Sequence, residues 1–524
     1  MRFVFPPAKA VHNVSVDSAS VIVDRPLKTA SQESRASRTI RELFESGRTI
    51  AYIRSSEEQR AAALVREVAQ RLPAPAPEVW QWTLTDGLRR DSEEPIAGTR
   101  EPRTALDYVL AYDAPAIFHL KDFHEPLRDS AEVRRRMRDI YERSAGRRRY
   151  IAITSPVHQI PAELERNVMY LDLRPPDVVE LTAFVREEAR RLTSRDASEA
   201  DIELMARSLL GLTLDEAGYA LRRAVMATGG FGVAALPAVR EEKRLLVNRS
   251  GYIEYVADGA TLGEVGGLEG LKKWLVERQK LFEMRDSLSA EIVPKGLLLM
   301  GIPGCGKSLS IKAIASAFQL PLYRVDMIEI FSGRHGKPEG AFVAACRMME
   351  DMAPAVLWFD EIEMGITSTD SGGEQGRIFA FFLTWMQEKT RGLFVAATAN
   401  RIDLLPAEMI RKGRFDEVFF VDLPLDAERF EIFKIHLNRR GANASRFDIE
   451  QLVKLTIGWT GAEIEQCVVS AITQARLADR EVNDMDLITI AVKIVPLSRT
   501  MKEQIIHIRS WAFERAVRAS PQVR

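Results

Sequence analysis

Gly301-Ile302-Pro303-Gly304-Cys305-Gly306-Lys307-Ser308 fits the pattern G-x-x-x-x-G-K-[ST], between an apolar run at 296–300 and a helix-like stretch at 309–318. Glycines let backbone N–H groups close around a phosphate, and the helix that follows adds its positive N-terminal end. Lys307 would reach the β- and γ-phosphates of a nucleotide, and Ser308 would ligate Mg2+. The candidate nucleotide contacts here are Gly301, Pro303, Gly304, Cys305, Gly306, Lys307, Ser308 and Leu309. Downstream, Ala355–Phe359 is apolar on both faces, as a central parallel strand must be, and ends in Asp360-Glu361. Carboxylates at the carboxyl end of such a strand lie where α/β sheets place ligands. Asp360 would hold Mg2+ through water, and Glu361 would polarise an attacking water. Another apolar run, Leu393–Ala399, closes on Asn400, whose amide could orient that water or touch the γ-phosphate.

Arg411 and Arg414 lie further along, in Arg411-Lys412-Gly413-Arg414-Phe415-Asp416. They are either surface arginines paired with Glu408 and Asp416, or groups that reach a phosphate. The series Val265-Gly266-Gly267-Leu268, the phosphate loop, Asp360-Glu361, Ala397-Thr398-Ala399-Asn400, Arg411 to Asp416 and Gly461-Ala462-Glu463 resembles the AAA ATPase family over roughly 263–486. That resemblance implies ATP as the nucleotide, Val265 and Gly267 against adenine, Asn400 as the first sensor, and Gly461 and Ala462 near the nucleotide in a helical lid. It also makes Arg411 and Arg414 arginine fingers for the neighbouring subunit's ATP, hence a homo-oligomer, most simply a hexamer. The catalytic candidates are then Glu361, Lys307, Asn400, Arg411 and Arg414, with Ser308 and Asp360 at the metal.

A further resemblance covers about 38–516 and is to the AAA family encoded in algal plastid genomes and in cyanobacteria. It is carried by Ser55-Ser56-Glu57-Glu58, Glu241-Glu242-Lys243, the segment from Phe382 to Lys389, the segment from Arg411 to Glu417, and Pro496-Leu497-Ser498-Arg499-Thr500-Met501. By resemblance, cyanobacterial members are associated with regulation of inorganic-carbon uptake.

These residues need two α/β blocks to position them. The 524 residues suggest two to four domains, and 46% hydrophobic residues suffice for real cores. We expect a mobile extension over 1–37 with a short strand at 19–23, an α/β domain over 38–176, a helical subdomain and linker over 177–251, a nucleotide-binding α/β domain over 252–424, and a helical lid with a C-terminal helix over 425–524. Strands are expected at 49–53, 79–84, 116–120, 150–154 and 168–173, with helices between them, which implies a parallel sheet. The fold class is thus α/β: a parallel αβα sandwich with a helical lid, preceded by an N-terminal α/β domain. That first domain reads either as a degenerate copy of the second or as an unrelated α/β domain. In favour of a copy, Gly211-Leu212-Thr213-Leu214-Asp215-Glu216 parallels Gly458-Trp459-Thr460-Gly461-Ala462-Glu463. Its strand at 49–53, however, leads into Arg54-Ser55-Ser56-Glu57-Glu58, without a glycine loop or lysine, and the two glutamates would repel a triphosphate.

A formal net charge of -1 gives no global positive field for nucleic acid or anionic membrane, and Cys305, Cys346 and Cys467 lack metal-ligand spacing. With no long apolar stretch, a cytoplasmic location is expected. Arg134-Arg135-Arg136 and Arg147-Arg148-Arg149 read as a solvated face interleaved with acids, and His119 and His124 flanking Asp122 read as an ordinary strand end. Where AAA unfoldases carry a threading aromatic, this chain has Arg334 followed by His335, so a basic loop could grip an acidic segment or simply be solvated. A flexible Gly/Ser loop is expected at 367–376. Three functions follow: an ATP-hydrolysing machine that remodels a protein partner chosen by the N-terminal domain, an ATP-switched regulatory assembly, or a nucleic-acid-dependent ATPase, which the charge disfavours.

Overall fold

The computed structural model describes residues 33–521 apart from Ser92, Ala145, 193–196, Asp258, Asp286, 365–373, 402–403 and Lys412. The expected strand at 19–23 and most of the expected loop at 367–376 lie outside the described residues. The first helix, Arg35–Glu45, begins inside the span expected to be an extension. The reason is local: the Ser34 hydroxyl caps it by accepting from Ser37 N, and Ile40 and Phe44 bury its apolar stripe.

Two sheets organise the chain. The first contains β1 (Ile50–Arg54), β2 (Glu78–Thr83), β3 (Gly87–Arg90), β4 (Ala116–Lys121), β5 (Arg149–Ser155) and β6 (Met169–Asp172), in the order β3-β2-β4-β5-β1-β6. The second contains β7 (Ile253–Val256), β8 (Gly296–Gly301), β9 (Leu322–Val325), β10 (Ala355–Phe359), β11 (Leu393–Ala399), β12 (Glu417–Val421) and β13 (Val517–Arg518), in the order β13-β12-β8-β11-β10-β9-β7. Reading β6-β1-β5-β4-β2 against β12-β8-β11-β10-β9 gives one topology used twice, each with an antiparallel strand added at the same edge. This repetition supports the degenerate-copy reading over an unrelated domain. The central strands β8, β10 and β11 are buried along their whole length, which is why their sequences are continuous apolar runs and not alternating ones.

Each sheet leads into helices. Val178–Leu192, Glu199–Ser208, Leu214–Thr228 and Leu236–Asn248 follow the first, and Asp426–Arg439, Ile449–Leu455, Gly461–Leu477 and Asp484–Lys493 follow the second. The sequence likeness between the helical blocks is a shared turn. Gly211 and Gly458 both have positive φ, +88° and +78°, and Thr213 and Thr460 each head a helix in a capping box with Glu216 and Glu463. The first helical block also binds the modules together. Its buried residues, from Leu181 to Val247, join one continuous core with Leu298, Leu357 and Val395 of the second sheet. Gly211 lies flush on that sheet's module, where a Cβ would come within 2.8 Å of the Asp351 carbonyl.

The arginine runs are largely paired, as their interleaved acids suggest: Arg134 with Glu163, Arg135 with Asp139, Arg136 with Asp107. Arg149 departs from the solvated reading. It is buried and donates to the carbonyls of Val109, Leu110 and Tyr112. His119 Nε2 and His124 Nδ1 each lie 2.9 Å from a hydroxyl, of Thr154 and Ser155. Among the described residues no helix is long and apolar enough to cross a membrane.

Candidate nucleotide site

A cleft of about 440 Å³ opens at the carboxyl ends of β8, β10 and β11 and is roofed by the helical block after β12. One end is walled by the loop from Pro303 to Leu309, the floor by Asp360, Glu361, Thr398 and Asn400, and the other end by Val265, Gly266 and Leu268. The roof brings Gly461, Ala462, Ile432 and His436. Residues separated by up to 200 positions in sequence therefore face one space.

Strand β8 delivers the phosphate loop. Gly301 is pressed on β12, where a Cβ would lie 2.1 Å from the Val421 carbonyl, so no larger residue fits at the loop's start. Gly304 and Gly306 take positive φ, +76° and +90°, and Lys307 begins the helix Lys307–Ala317. The loop touches the roof through Ala462 N, which donates to Gly304 O at 3.0 Å. Lys307 is buried, and its Nζ donates to the Gly301 and Ile302 carbonyls at 2.9 and 3.0 Å. Burial lowers its pKa to about 8. A buried ammonium satisfied only by carbonyl dipoles, beside a loop of positive-φ glycines at a helix N-terminus, fits a polyphosphate group. The neighbouring Cys305 thiol is pushed up to about 12 by burial, so it is no thiolate at neutral pH.

The floor is a hydrogen-bonded relay. Thr398 Oγ1 donates to Asp360 Oδ1 at 2.7 Å and accepts from Glu361 N at 2.9 Å. Glu361 holds the left-handed φ of +46°, a strained position for a non-glycine residue, and its Oε1 accepts from Asn400 Nδ2 at 2.7 Å. Asn400 is in turn fixed from behind: its N and that of Arg401 donate to Glu363 Oε1 at 2.7 and 3.0 Å. Glu363 is buried, which raises its pKa against the pull of those two N–H groups. Such an arrangement can anchor a hydrated cation at Asp360 and present the Glu361 carboxylate, oriented by Asn400, to a water in the cleft.

Sequence reasoning missed Thr398 and Glu363. Thr398 is an unremarkable strand residue until its register beside Asp360 is known, whereas Glu363 could have been suspected as a third acid after an apolar strand. Other candidates lie apart from the cleft. Gly267 sits behind its wall and donates to Glu431 Oε2 at 2.8 Å. Arg411 follows the short helix Ala407–Ile410 and is exposed. Arg414 is partly buried, and its Nε and Nη1 have no hydrogen-bond partner among the described residues. Asp416 is not its partner, because its Oδ2 accepts from Lys295 N and Gly296 N. Arg334 is exposed beside Glu329 at 3.2 Å, and the His335 ring packs edge-on against Tyr252 in the segment joining the two modules.

The first module carries the same positions with other contents. Asp122 follows β4 at φ +51°, as Glu361 follows β10, and Lys121 pairs in register with Thr154, as Asp360 bonds Thr398. Glu58 begins the helix after β1, as Lys307 begins that after β8. Lys307 and Asp360 are thus replaced by Glu58 and Lys121, with exchanged charges, and these two form an ion pair at 2.7 Å. Glu57, beside this pair, ties the sheet module to the helices that follow it. It accepts from Leu214 N at 2.6 Å and from Arg60 Nη1 at 2.7 Å, and Arg60 also holds Glu180 at 2.7 Å.

Comparison with known proteins agrees with this architecture. Residues 36–173 match the N-terminal domain and 179–250 the second domain of SpoVK-like AAA ATPases, and 297–423 match the ATPase family associated with various cellular activities (AAA). The chain is 33% identical over 485 residues to the uncharacterized AAA domain-containing protein ycf46 of Trieres chinensis, covering 91% of this chain and 96% of that one. It is 34% identical over 481 residues to the protein of the same name in Pyropia yezoensis, covering 90% and 96%. A more distant similarity, 29% over 355 residues, is to Protein SAV of Sulfolobus acidocaldarius, covering 61% of this chain and 44% of that one. With two α/β modules of one topology, a phosphate loop in the second, and these relatives along most of its length, the chain belongs to the AAA ATPase family.

Proposed function

We propose that the protein binds and hydrolyses ATP with Mg2+ at the cleft of its second module, and uses the cycle to remodel a protein partner held by the first. The observation that carries this reading is the 2.7 Å bond from Asn400 to Glu361 on the floor beneath the phosphate loop, which aims a carboxylate where a water would attack. Lys307 and the loop N–H groups hold the phosphates. Ser308 and Asp360 would hold the metal, which supplies charge neutralisation when bound, and Val265 with Gly266 forms the base side of the site, with Gly267 supporting it from behind. Proteins of the AAA family typically assemble as oligomeric rings. Arg411 and Arg414 lie outside their own cleft, and two Arg414 guanidinium nitrogens have no partner among the described residues, which suits both to a neighbouring subunit's phosphates. Glu361→Gln should abolish turnover, by about 10²–10⁴-fold, and leave ATP binding intact. Full turnover in that variant would remove Glu361 from the role.

A second reading is favoured by one observation. The loop at 332–337 carries Arg334 and His335 instead of an aromatic, and the exposed His335 ring lies edge-on to Tyr252. In this reading ATP switches an assembly and hydrolysis times it, without threading. A substrate-trap pull-down with Glu361→Gln and ATP separates the two: an unfolded or partly threaded client supports remodelling, and a folded, stoichiometric partner supports the switch.

A further inference from the structure

The wall of the cleft opposite the phosphate loop is built by Val265, Gly266 and Leu268. Because the phosphates belong to one end, the base of a bound nucleotide belongs to this other end. Backbone groups of the wall are held by carboxylates of the roof helix Asp426–Arg439. Leu268 N donates to Glu428 Oε1 at 3.0 Å, and Gly267 N donates to Glu431 Oε2 at 2.8 Å. The fit is close. A Cβ on Gly267 would lie within 2.6 Å of three Glu428 side-chain atoms, and Leu268 is kept at a left-handed φ of +57°.

The same Glu428 oxygen receives a second donor from the far end of the chain, the Ser520 hydroxyl at 2.6 Å. Ser520 is delivered by β13, which pairs in parallel with β12. Beyond it, Ala519 N donates to Phe420 O and Ala519 O accepts from Leu271 N, both at 3.0 Å. Ala519 is fully buried, and Gly270 leaves room for its carbonyl, which a Cβ there would approach to 2.9 Å. Before β13, the Arg509 guanidinium holds Asp422 at 2.8 Å, next to Val421, whose carbonyl accepts from Ile302 N at the root of the phosphate loop. The segment from Arg509 to Ser520 therefore touches supports of both ends of the cleft without lining it.

We propose that Glu428 is a positioning residue for the base end of the nucleotide site, and that residues 517–520 belong to that site by locking it. This inference rests on the nucleotide reading above. The buried Glu428 carboxylate, whose other oxygen accepts from Leu425 N at 2.8 Å, shares one oxygen between Leu268 N and Ser520 Oγ, so the docked C-terminal segment steadies the wall and sets nucleotide affinity and not the chemical step.

The test uses the full chain, a fluorescent methylanthraniloyl-ATP with Mg2+ for the dissociation constant, and steady-state turnover at saturating ATP. Glu428→Ala should weaken binding by about tenfold, Ser520→Ala should weaken it severalfold, and Glu428→Gln, which keeps a carbonyl acceptor for Leu268 N, should fall between Glu428→Ala and the unaltered chain. Turnover at saturation should stay within about twofold in all three. Ser520 is only half-buried, so that variant tests the idea even if Glu428→Ala fails to fold. Unchanged binding in Ser520→Ala and Glu428→Gln would overturn the inference, as would a loss of turnover matching the loss of affinity. If the unaltered chain binds no nucleotide, the nucleotide reading itself fails, a result distinct from both.

Discussion

At the carboxyl end of β8 the chain runs through residues 302–306 and enters a helix at Lys307. At the carboxyl end of β1, in a sheet of the same order, it runs through residues 55–57 and enters a helix at Glu58. The shorter turn leaves no cradle of N–H groups, and the charges that would face a magnesium-bound phosphate are exchanged, Glu58 with Lys121 in place of Lys307 with Asp360. In the second module the loop meets its helical roof through a backbone contact from Ala462 to Gly304, beside an open cleft. In the first, the equivalent helix start is bonded to the buried carboxylate of Glu57. The difference teaches how a copied nucleotide fold becomes a fixed scaffold: side chains take over the task of joining sheet to helices, and no ligand is needed. Burial pushes the Glu57 carboxyl above its ordinary range, against the pull of Arg60 and Leu214 N, so this tie stands only because its partners are in place.

The comparison can be broken at its strongest point by the arginines. Arg414→Ala should reduce hydrolysis by about 10³–10⁵-fold if it acts on a neighbour's phosphates. Mixing those subunits with Lys307→Ala subunits should restore part of the activity at mixed interfaces, measured by phosphate release. No rescue, with mixed assembly confirmed by mass, would argue against action in trans. Next in size is the Glu57 tie. Glu57→Ala leaves the buried Arg60 with Glu180 and the Arg174 carbonyl and leaves Leu214 N without its acceptor, and should destabilise the chain by about 1–3 kcal/mol in denaturant unfolding, with Mg2+-ATP expected not to compensate. Restoration by ATP would mean that the first cleft still takes nucleotide. The smallest effect is that of pH on the Lys307 ammonium. In the free protein its pKa is lowered to about 8, so the proton that attracts phosphate is lost as pH rises through that value. ATP affinity should therefore fall above pH 8, by at most about tenfold per pH unit, in titrations across pH 7 to 9.5. The stability contribution of the same group runs the other way. The folded state binds fewer protons than the unfolded between about 8 and the ordinary lysine value of 10.5, so stability from Lys307 rises with pH in that window.

Much of the second module was legible in sequence because its chemistry needs fixed residue types at fixed spacing. The loop from Gly301 to Ser308, Asp360-Glu361 at the end of an apolar strand, and Asn400 after another converge as their motifs imply. Strands such as Ala116–Lys121 and Leu393–Ala399 were legible from uninterrupted apolar runs. The remainder depended on long-range register. Thr398 matters only because β11 lies beside β10, and Ser520 matters only because β13 brings it back to Glu428 from the C-terminal segment. The strand β13 has two exposed residues and no apolar pattern, so nothing local announces it. The exchanged pair, Glu58 and Lys121, was invisible for the same reason: neither residue is unusual until the sheets are laid on each other. Ser34 and Ser37 read as extension because capping serines and unstructured serines have the same composition.

The asymmetry between the modules should come to one nucleotide per chain. It is tested most directly by equilibrium titration of the full chain with a non-hydrolysable ATP analogue and Mg2+, counting nucleotides bound per chain. One is expected in the unaltered protein and in Glu58→Ala, and none in Lys307→Ala. Two per chain, or one that survives Lys307→Ala, would contradict it.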